Sequence, residues 1–308
     1  MTLLALWTAL LLGPTAQAGS GPWTLPAGAQ NLYVGMAQSR FSTLRTATRV
    51  QDLGAVRGTT LHAIGTLGLR EGLEAELALP WTRVVHTDTD RPVCSSAAWP
   101  RDLCAPSAGP GPFQATLKGR VLDEGALRPV TLSLSAVLRN GTPTADVRDR
   151  LTAIGDGQTD IGAFASVGRT GQLTTEGWYT ASATLGYWYR TPLRDAAGGL
   201  DKVPANQLDY AVRALAAPTR AVGVGPVLAG FHRLGGVDLA DLDPRDPNGF
   251  ASLRAAQVKV GAELLVSGAA NVSLSISALQ AIWAENNPGD TRVLSVGVGW
   301  YAEPRPTP

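Results

Sequence analysis

This 308-residue sequence contains three histidines, the residue type whose side chain has an ordinary pKa near neutrality. They are His62, His86 and His232. A histidine could activate a serine as a nucleophile, but only if folding brings the two into contact. His62 has no serine two residues on, His86 opens a loop, and His232 has no polar neighbour in sequence. We therefore expect isolated lumen or loop histidines and no enzyme. A hydrolase using His62 or His86 is the alternative.

The two cysteines, Cys94 and Cys104, lie in a polar, proline-rich stretch. In an exported protein they would form a loop disulfide, and otherwise they are two free thiols. Two cysteines without a histidine nearby in sequence cannot complete a tetrahedral zinc site. The segment 156–160 begins like a calcium loop but lacks the later glutamate, and no phosphate-binding loop follows a strand. We expect no metal and no cofactor.

Charged residues alternate with apolar ones in several segments, so they would share the polar face of a strand. These candidate lumen-lining residues are Glu74, Glu76, Lys118, Arg120, Lys259 and Glu263. Opposed acidic and basic side chains can restrict a pore by their transverse field. They can also brace a barrel by pairing inside it, and the sequence leaves both roles open.

The elements that position these charges are β-hairpins. In the segment 113–139, two alternating arms flank the turn residues Asp-Glu-Gly. Comparable alternation predicts strands at Asn31–Arg40, Thr59–Leu69, Leu73–Val85, Thr159–Arg169, Glu176–Arg190, Gln207–Ala216, Ala221–Phe231, Leu253–Val266, Asn271–Trp283 and Thr291–Tyr301. The segment 41–58 looks polar and irregular. In the strand 176–190, Trp178 and Trp188 fall on the inward parity.

This pattern of about twelve strands predicts an all-β fold, a single antiparallel up-and-down transmembrane β-barrel. Its strands approach the 9–11 residues that cross a bilayer, and short periplasmic turns alternate with mostly long extracellular loops. A secreted β-sandwich also alternates, but its strands are shorter and need no charged inner face. The net charge of +1 gives no footprint for nucleic acid.

The chain divides into four parts. Residues 1–18 read as a secretory signal peptide, with a short apolar core before Ala16-Gln17-Ala18. A periplasmic lead-in follows at 19–30, then the barrel at 31–301 and a flexible tail at 302–308. These features predict a location in the bacterial outer membrane. The expected partners are outer-membrane lipids, a small-molecule solute and, during biogenesis, the barrel-assembly machinery.

Three stretches carry a resemblance to a known family: Gly-Pro-Trp at 21–23, GDGQTDIGAF at 155–164 and GYWYRTP at 186–192. Together they resemble the outer-membrane barrels called transporters or proteins of the MetA pathway of phenol degradation. The resemblance implies a Gram-negative outer-membrane channel for small aromatic or hydrophobic compounds, and it carries over no catalytic residue.

The function predicted from these features is a channel for passive passage of small solutes, aromatic or hydrophobic ones among them. One alternative is an outer-membrane hydrolase of the phospholipase type that uses His62 or His86. Another is a structural or adhesive barrel that acts through its loops.

Overall fold

The structure is a computed structural model that describes residues 21–46, 48–88, 94, 104–125, 128–140, 159–192, 205–236, 238, 254–268 and 271–304. The predicted signal peptide lies outside these residues, as do residues 305–308 of the predicted tail. The described residues are almost entirely strands and their connections. Among them, no helix is both long enough and apolar enough to cross a membrane.

The strands follow the alternating segments closely. They are β1 Gln30–Arg45, β2 Val50–Arg70, β3 Leu73–His86, β4 Ser107–Pro110, β5 Phe113–Leu122, β6 Thr131–Asn140, β7 Thr159–Gln172, β8 Trp178–Arg190, β9 Gln207–Ala217, β10 Val222–Arg233, β11 Ala256–Ser267, β12 Val272–Glu285, β13 Asn287–Pro288 and β14 Arg292–Ala302.

The sheet closes on itself. Neighbours in sequence pair antiparallel from β5 to β12, β3 joins β2 to β5, and β12 pairs with β14. The strand β1 then pairs with β14 on one side and β2 on the other, which completes a closed barrel of 12 strands. The short strands β4 and β13 extend the rim beside β3 and β1. The predicted fold class is therefore confirmed.

The expectation of an irregular segment at 41–58 is wrong. β1 continues to Arg45 and β2 starts at Val50, and the two extensions pair with each other up to Arg45 opposite Val50. A shift in register after Phe41 interrupts the two-residue alternation there. A bulge of this kind moves the following side chains to the other face, which hides a strand from pattern reading.

The two faces of the wall differ in chemistry. Large apolar side chains are exposed on the outside, among them Leu32, Leu61, Leu79, Leu134, Leu185, Val212, Leu294 and Val298. Hydroxyl and charged groups are buried inside, among them Thr60, Thr82, Ser133, Asp160, Asp209, Lys259 and Ser295. An apolar outer belt around a polar interior is what a barrel requires when lipid surrounds it.

The connections distinguish the two ends. At one end, two to eight residues separate the paired strands β2 and β3, β5 and β6, β7 and β8, β9 and β10, and β11 and β12. This end faces the periplasm in outer-membrane barrels, and both ends of the described chain meet there. The other connections lie at the outer end, which faces the cell exterior.

One outer-end connection, between β12 and β14, is fixed to β1 by a single carboxylate. Asp290 accepts hydrogen bonds from the backbone N–H and hydroxyl groups of both Ser42 and Thr43, at 2.6–3.0 Å. Partial burial raises the pKa of Asp290, but these donors outweigh it, so the pKa lies below its usual range. The ionised carboxylate thus holds the closing seam together at the rim.

Because the folded-state pKa is depressed, the contribution of Asp290 to stability is complete above the unfolded pKa of about 3.9 and is lost as the pH falls through the folded value. We predict that Asp290→Asn lowers the free energy of unfolding at pH 6. This deficit should shrink steadily below about pH 4. Denaturant unfolding in micelles between pH 6 and 2 measures it. Ser42→Ala, which removes only one donor, should give a smaller deficit with the same pH trend, and a deficit independent of pH would contradict the assignment.

Candidate functional site in the barrel lumen

Near the periplasmic end, the lumen contains a buried ion pair. Glu74 on β3 and Lys118 on β5 lie directly opposite each other, and their charged atoms are 2.6 Å apart. Each residue is only 4% exposed. Each of these buried charges requires the other, because one charge buried without its partner would strongly destabilise the folded protein.

This ion pair holds the segment 21–29, which enters the barrel from the periplasmic end. The backbone N–H of Leu25 donates to Glu74 at 2.8 Å, and Lys118 donates to the carbonyl of Gly21 at 3.4 Å. The segment also exchanges backbone hydrogen bonds with Gly68 of β2. A Cβ at Gly68 would lie 1.9 Å from the carbonyl oxygen of Pro26, so this close approach requires glycine.

The lead-in predicted as a separate periplasmic segment therefore lies against the inner wall. No charge pattern marks the segment, and its apolar composition resembles an ordinary linker. The signal that could have identified it is the need for the buried Glu74 and Lys118 to find backbone partners.

The other two predicted charges of this region are placed differently. Glu76 accepts a hydrogen bond from the hydroxyl of Thr66 at 3.4 Å on the inner wall. Arg120 lies at the periplasmic mouth, where it pairs with Glu71 and Asp123 from the adjacent turns. The structure thus separates Arg120, at the rim, from the buried Glu74–Lys118 pair.

Lys259 and Glu263 both face inward on β11 and are four residues apart, which is two repeats of the pleat. Glu263 is 2% exposed and pairs with Arg213 of β9 across β10. Lys259 is 5% exposed and makes no hydrogen bond or ion pair with any residue that the structure describes, although the charge of Asp209 acts on it. Lys259 is therefore a cation directed into the lumen without a fixed partner in this part of the chain.

The outer half of the lumen carries a second charged cluster, which we name the upper cluster. Its members are Arg139, Asp160, Trp188, Arg190, Gln207, Asp209 and Lys259. Asp160 pairs with Arg139 and lies 3.7 Å from Arg190. Trp188 and Gln207 donate to the two oxygens of Asp209 at 2.7 and 2.6 Å.

Aromatic rings line the same part of the wall. The guanidinium of Arg139 lies 4.3 Å from the ring centroid of Trp188, and Phe164 packs edge-on against Trp188 at 5.1 Å. A Cβ at Gly186 would lie 2.0 Å from the ring of Phe164, so the glycine lets this ring lie flat on the wall. The upper cluster thus combines cationic groups with buried aromatic rings that pack beneath them.

Apart from Lys259 and Trp188, the members of the upper cluster were not singled out from sequence as lumen residues. The alternation of each strand places these residues on its inward face, as it does Trp188. Each charge, however, stands alone at the end of its strand. Strand ends are where sequence assigns the boundary with a loop least securely. The pairing register alone brings Arg139, Asp160 and Arg190 into one row across β6, β7 and β8.

The histidines are dispersed. His62 faces the lumen and stacks on Tyr33 at 5.4 Å, and neither of its ring nitrogens has a hydrogen-bond partner. His232 stacks between Tyr210 and Trp283. Among the described residues, no serine or threonine hydroxyl is hydrogen-bonded to a histidine ring. The hydrolase alternative therefore finds no Ser/His pair there.

His86 lies beside the cysteines. The structure joins Cys94 to Cys104 in a disulfide, and the sulfur of Cys94 lies 3.8 Å from the imidazole of His86. The ring also contacts the carbonyl of Leu53 at 2.6 Å. The expectation that no histidine accompanies the cysteines is correct in sequence but not in space. Because both sulfurs are bonded to each other, this group offers no thiolate to a metal.

No family model matches the chain, and no curated protein matches it. The membership in the MetA-pathway family that the sequence suggested therefore has no support from a family match. Among solved structures, an outer membrane channel from Pseudomonas putida F1 has a TM-score of 0.69 at 13% identity, over 91% of this chain and 98% of that one.

Two further similarities are weaker. The NanC porin has a TM-score of 0.47 at 9% identity, over 87% of this chain and 98% of that one. The translocator domain of the autotransporter NalP from Neisseria meningitidis has 0.45 at 12% identity, over 90% of each chain. Scores at this level carry no argument about this chain.

The closed barrel, its apolar outer belt and the shared fold lead to one conclusion. The chain is a β-barrel of the outer-membrane type.

The Glu74–Lys118 pair gives a testable prediction about the segment 21–29. Replacing Lys118 by Met leaves Glu74 uncompensated, which should cost about 3–5 kcal/mol and release the segment. A spin label on Thr24→Cys should then become more mobile in the electron paramagnetic resonance spectrum.

The matched control is Arg120→Met, which removes a cation at the exposed mouth. It should change the stability by less than about 1 kcal/mol and leave the label immobilised. Equal label mobility in both variants and in the parent would show that the buried pair does not hold the segment.

Proposed function

We propose that this barrel is an outer-membrane channel for the passive passage of small solutes, with small aromatic anions as its favoured class. The observation that carries the proposal is the upper cluster, where Arg139, Trp188 and Lys259 line one part of the lumen. The fold shared with a protein described as an outer membrane channel supports the coarser part of this proposal.

The chemistry of the upper cluster suits such solutes. Guanidinium and ammonium groups favour carboxylates and phenolates, and they do so more strongly in a narrow lumen than in open water. The rings of Trp188 and Phe164, which are 3% and 9% exposed, form an apolar wall behind these cations. A site that combines both would admit an aromatic anion more readily than a sugar of the same size.

The balance of charges in the outer half supports a preference for anions. Among the described residues, its largely buried inward-facing cations include Arg139, Arg190, Arg233 and Lys259, and its buried inward-facing carboxylates include Asp160 and Asp209. The excess of cations lowers the barrier for an anion that crosses this half. Passage would be downhill, because the sequence contains no phosphate-binding loop to couple transport to a nucleotide.

The buried segment 21–29 adds a constraint at the periplasmic end. It shares the lumen with any solute, so the passage there is narrower than the barrel itself. The Glu74–Lys118 pair acts as a brace, while the upper cluster acts on the solute. These are the two roles that the sequence left open for lumen charges.

The test is ion selectivity in planar bilayers. In a potassium chloride gradient, the refolded protein should show discrete conductance steps. The reversal potential should have the sign expected for a chloride-selective channel. Lys259→Glu should shift the reversal potential towards the value expected for potassium selectivity. The reason is that it reverses the charge of the one lumen cation that has no fixed partner among the described residues.

Arg83→Glu is the matched control, since the side chain of Arg83 lies on the outer wall. It should leave the reversal potential unchanged. Conductance whose selectivity does not respond to Lys259→Glu would place the ion path elsewhere, and a folded barrel without any conductance would contradict the channel.

A further inference from the structure

Four arginines interrupt the apolar belt on one side of the barrel. Arg40 on β1, Arg57 on β2, Arg83 on β3 and Arg292 on β14 are exposed on the outer wall, towards the outer end. Closer to the periplasm, the same faces carry apolar residues such as Met36, Leu61, Val296 and Val298. We name the four residues the outer arginine patch.

The strand register brings three of these arginines into direct opposition. Arg40 lies opposite Arg57 in the pairing of β1 with β2, and opposite Arg292 in the pairing of β1 with β14. Gln280 of β12 extends the row on the far side of Arg292. Like charges directly opposite on one face of a sheet repel each other, so this row is unfavourable unless something neutralises it.

The protein supplies no counter-charge among the residues that the structure describes. None of the four arginines makes a hydrogen bond or an ion pair there. Asp290, which precedes Arg292 by two residues, is instead occupied by Ser42 and Thr43. Among the described residues, the row therefore has no counter-charge.

A groove of about 750 Å³ lies beside the patch. Its lining spans five adjacent strands, from β11 through β12, β14 and β1 to β2. The outward-facing members are Gln38, Arg40, Arg57, Thr59, Val260, Ala278, Gln280, Arg292 and Leu294. The other lining residues are one inward-facing residue from each of the five strands, Ser39, Gly58, Gly261, Leu279 and Val293. Only the outward-facing members are within reach of a lipid.

The groove has a polar part and an apolar part. Arg40, Arg57 and Arg292 lie towards the outer end, whereas Ala278 and Leu294 lie one step along their strands towards the membrane centre. The small side chain of Ala278 leaves room between its neighbours. An amphipathic molecule would fit with an anionic head on the arginines and a hydrocarbon chain below them.

We propose that the outer arginine patch, together with the exposed apolar side chains below it, binds a phosphorylated glycolipid of the outer leaflet, of the lipid A class. Arginine forms paired, charge-assisted hydrogen bonds with phosphate, and three guanidinium groups in a row match a phosphate that can bridge them. The position of the patch on the outer wall, above exposed apolar side chains such as Leu294 and Val296, selects a lipid over a soluble anion. This site is on the outer wall and is independent of the proposed channel function.

The test measures binding of bisphosphorylated lipid A to the full chain in detergent micelles by native mass spectrometry. Folding of each variant is first confirmed by heat-modifiable mobility on gels. Arg40→Gln combined with Arg292→Gln should weaken binding by at least tenfold, on the order expected when paired charged hydrogen bonds to phosphate are lost. Monophosphorylated lipid A should bind more weakly than the bisphosphorylated form.

The matched control is Arg70→Gln combined with Arg169→Gln, which removes the same charge from exposed positions near the periplasmic end. It should bind lipid A as the parent does. Equal loss in both double variants would reduce the effect to net charge and overturn the site.

Two further measurements keep the proposal open to refutation. Ala278→Trp fills the apolar part of the groove without changing any charge, and it should also weaken binding if the chain of the lipid lies there. If the arginine double variant does not fold, this variant decides. Complete competition by inorganic phosphate would indicate a free-anion site and contradict the lipid.

Discussion

Lipid offers no hydrogen bonds, so every strand that crosses it must have a bonded neighbour on both sides. In this chain the requirement is met where β1 joins β14 to β2, because all other strands pair with their neighbours in sequence or nearly so. Closure at this seam fixes which residues face inward. The positions of the lumen charges, the segment 21–29 and the outer arginines all depend on it.

Closure also creates a conflict inside the barrel. Hydroxyls and charges that face inward must be hydrated or paired, and a lumen that pairs all of them leaves no path. The chain divides the two tasks between its ends. At the periplasmic end, Glu74 and Lys118 bind each other and the backbone of the segment 21–29. In the outer half, Lys259 has no such fixed partner among the described residues, and aromatic rings line the wall beside it.

The architecture could be predicted from sequence because a strand with a wet face and a lipid face alternates with a period of two. That signal gave the strand number and the inward parity of Glu74, Lys118 and Trp188. It failed at 41–58, where a bulge after Phe41 shifts the alternation although pairing continues. The alternation also gave no indication of which side chains would become partners on neighbouring strands.

Sequence reasoning could not supply the contacts between neighbouring strands. The approach of His86 to the disulfide, the row formed by Arg139, Asp160 and Arg190, and the opposition of Arg40 to Arg57 and Arg292 all depend on register between strands. An error of one residue moves each side chain to the other face. The lead-in 21–29 carries neither alternation nor charge, so nothing in its own sequence places it inside the barrel.

The measurement that tests the central claim most directly is solute entry into liposomes that contain the refolded full chain. Osmotic swelling would be followed with benzoate and with a neutral sugar of similar size. Our account predicts that swelling in benzoate is faster than in the sugar and faster than in protein-free liposomes. Swelling no faster than in protein-free liposomes for either solute, with the barrel shown to be folded, would contradict a channel for small solutes.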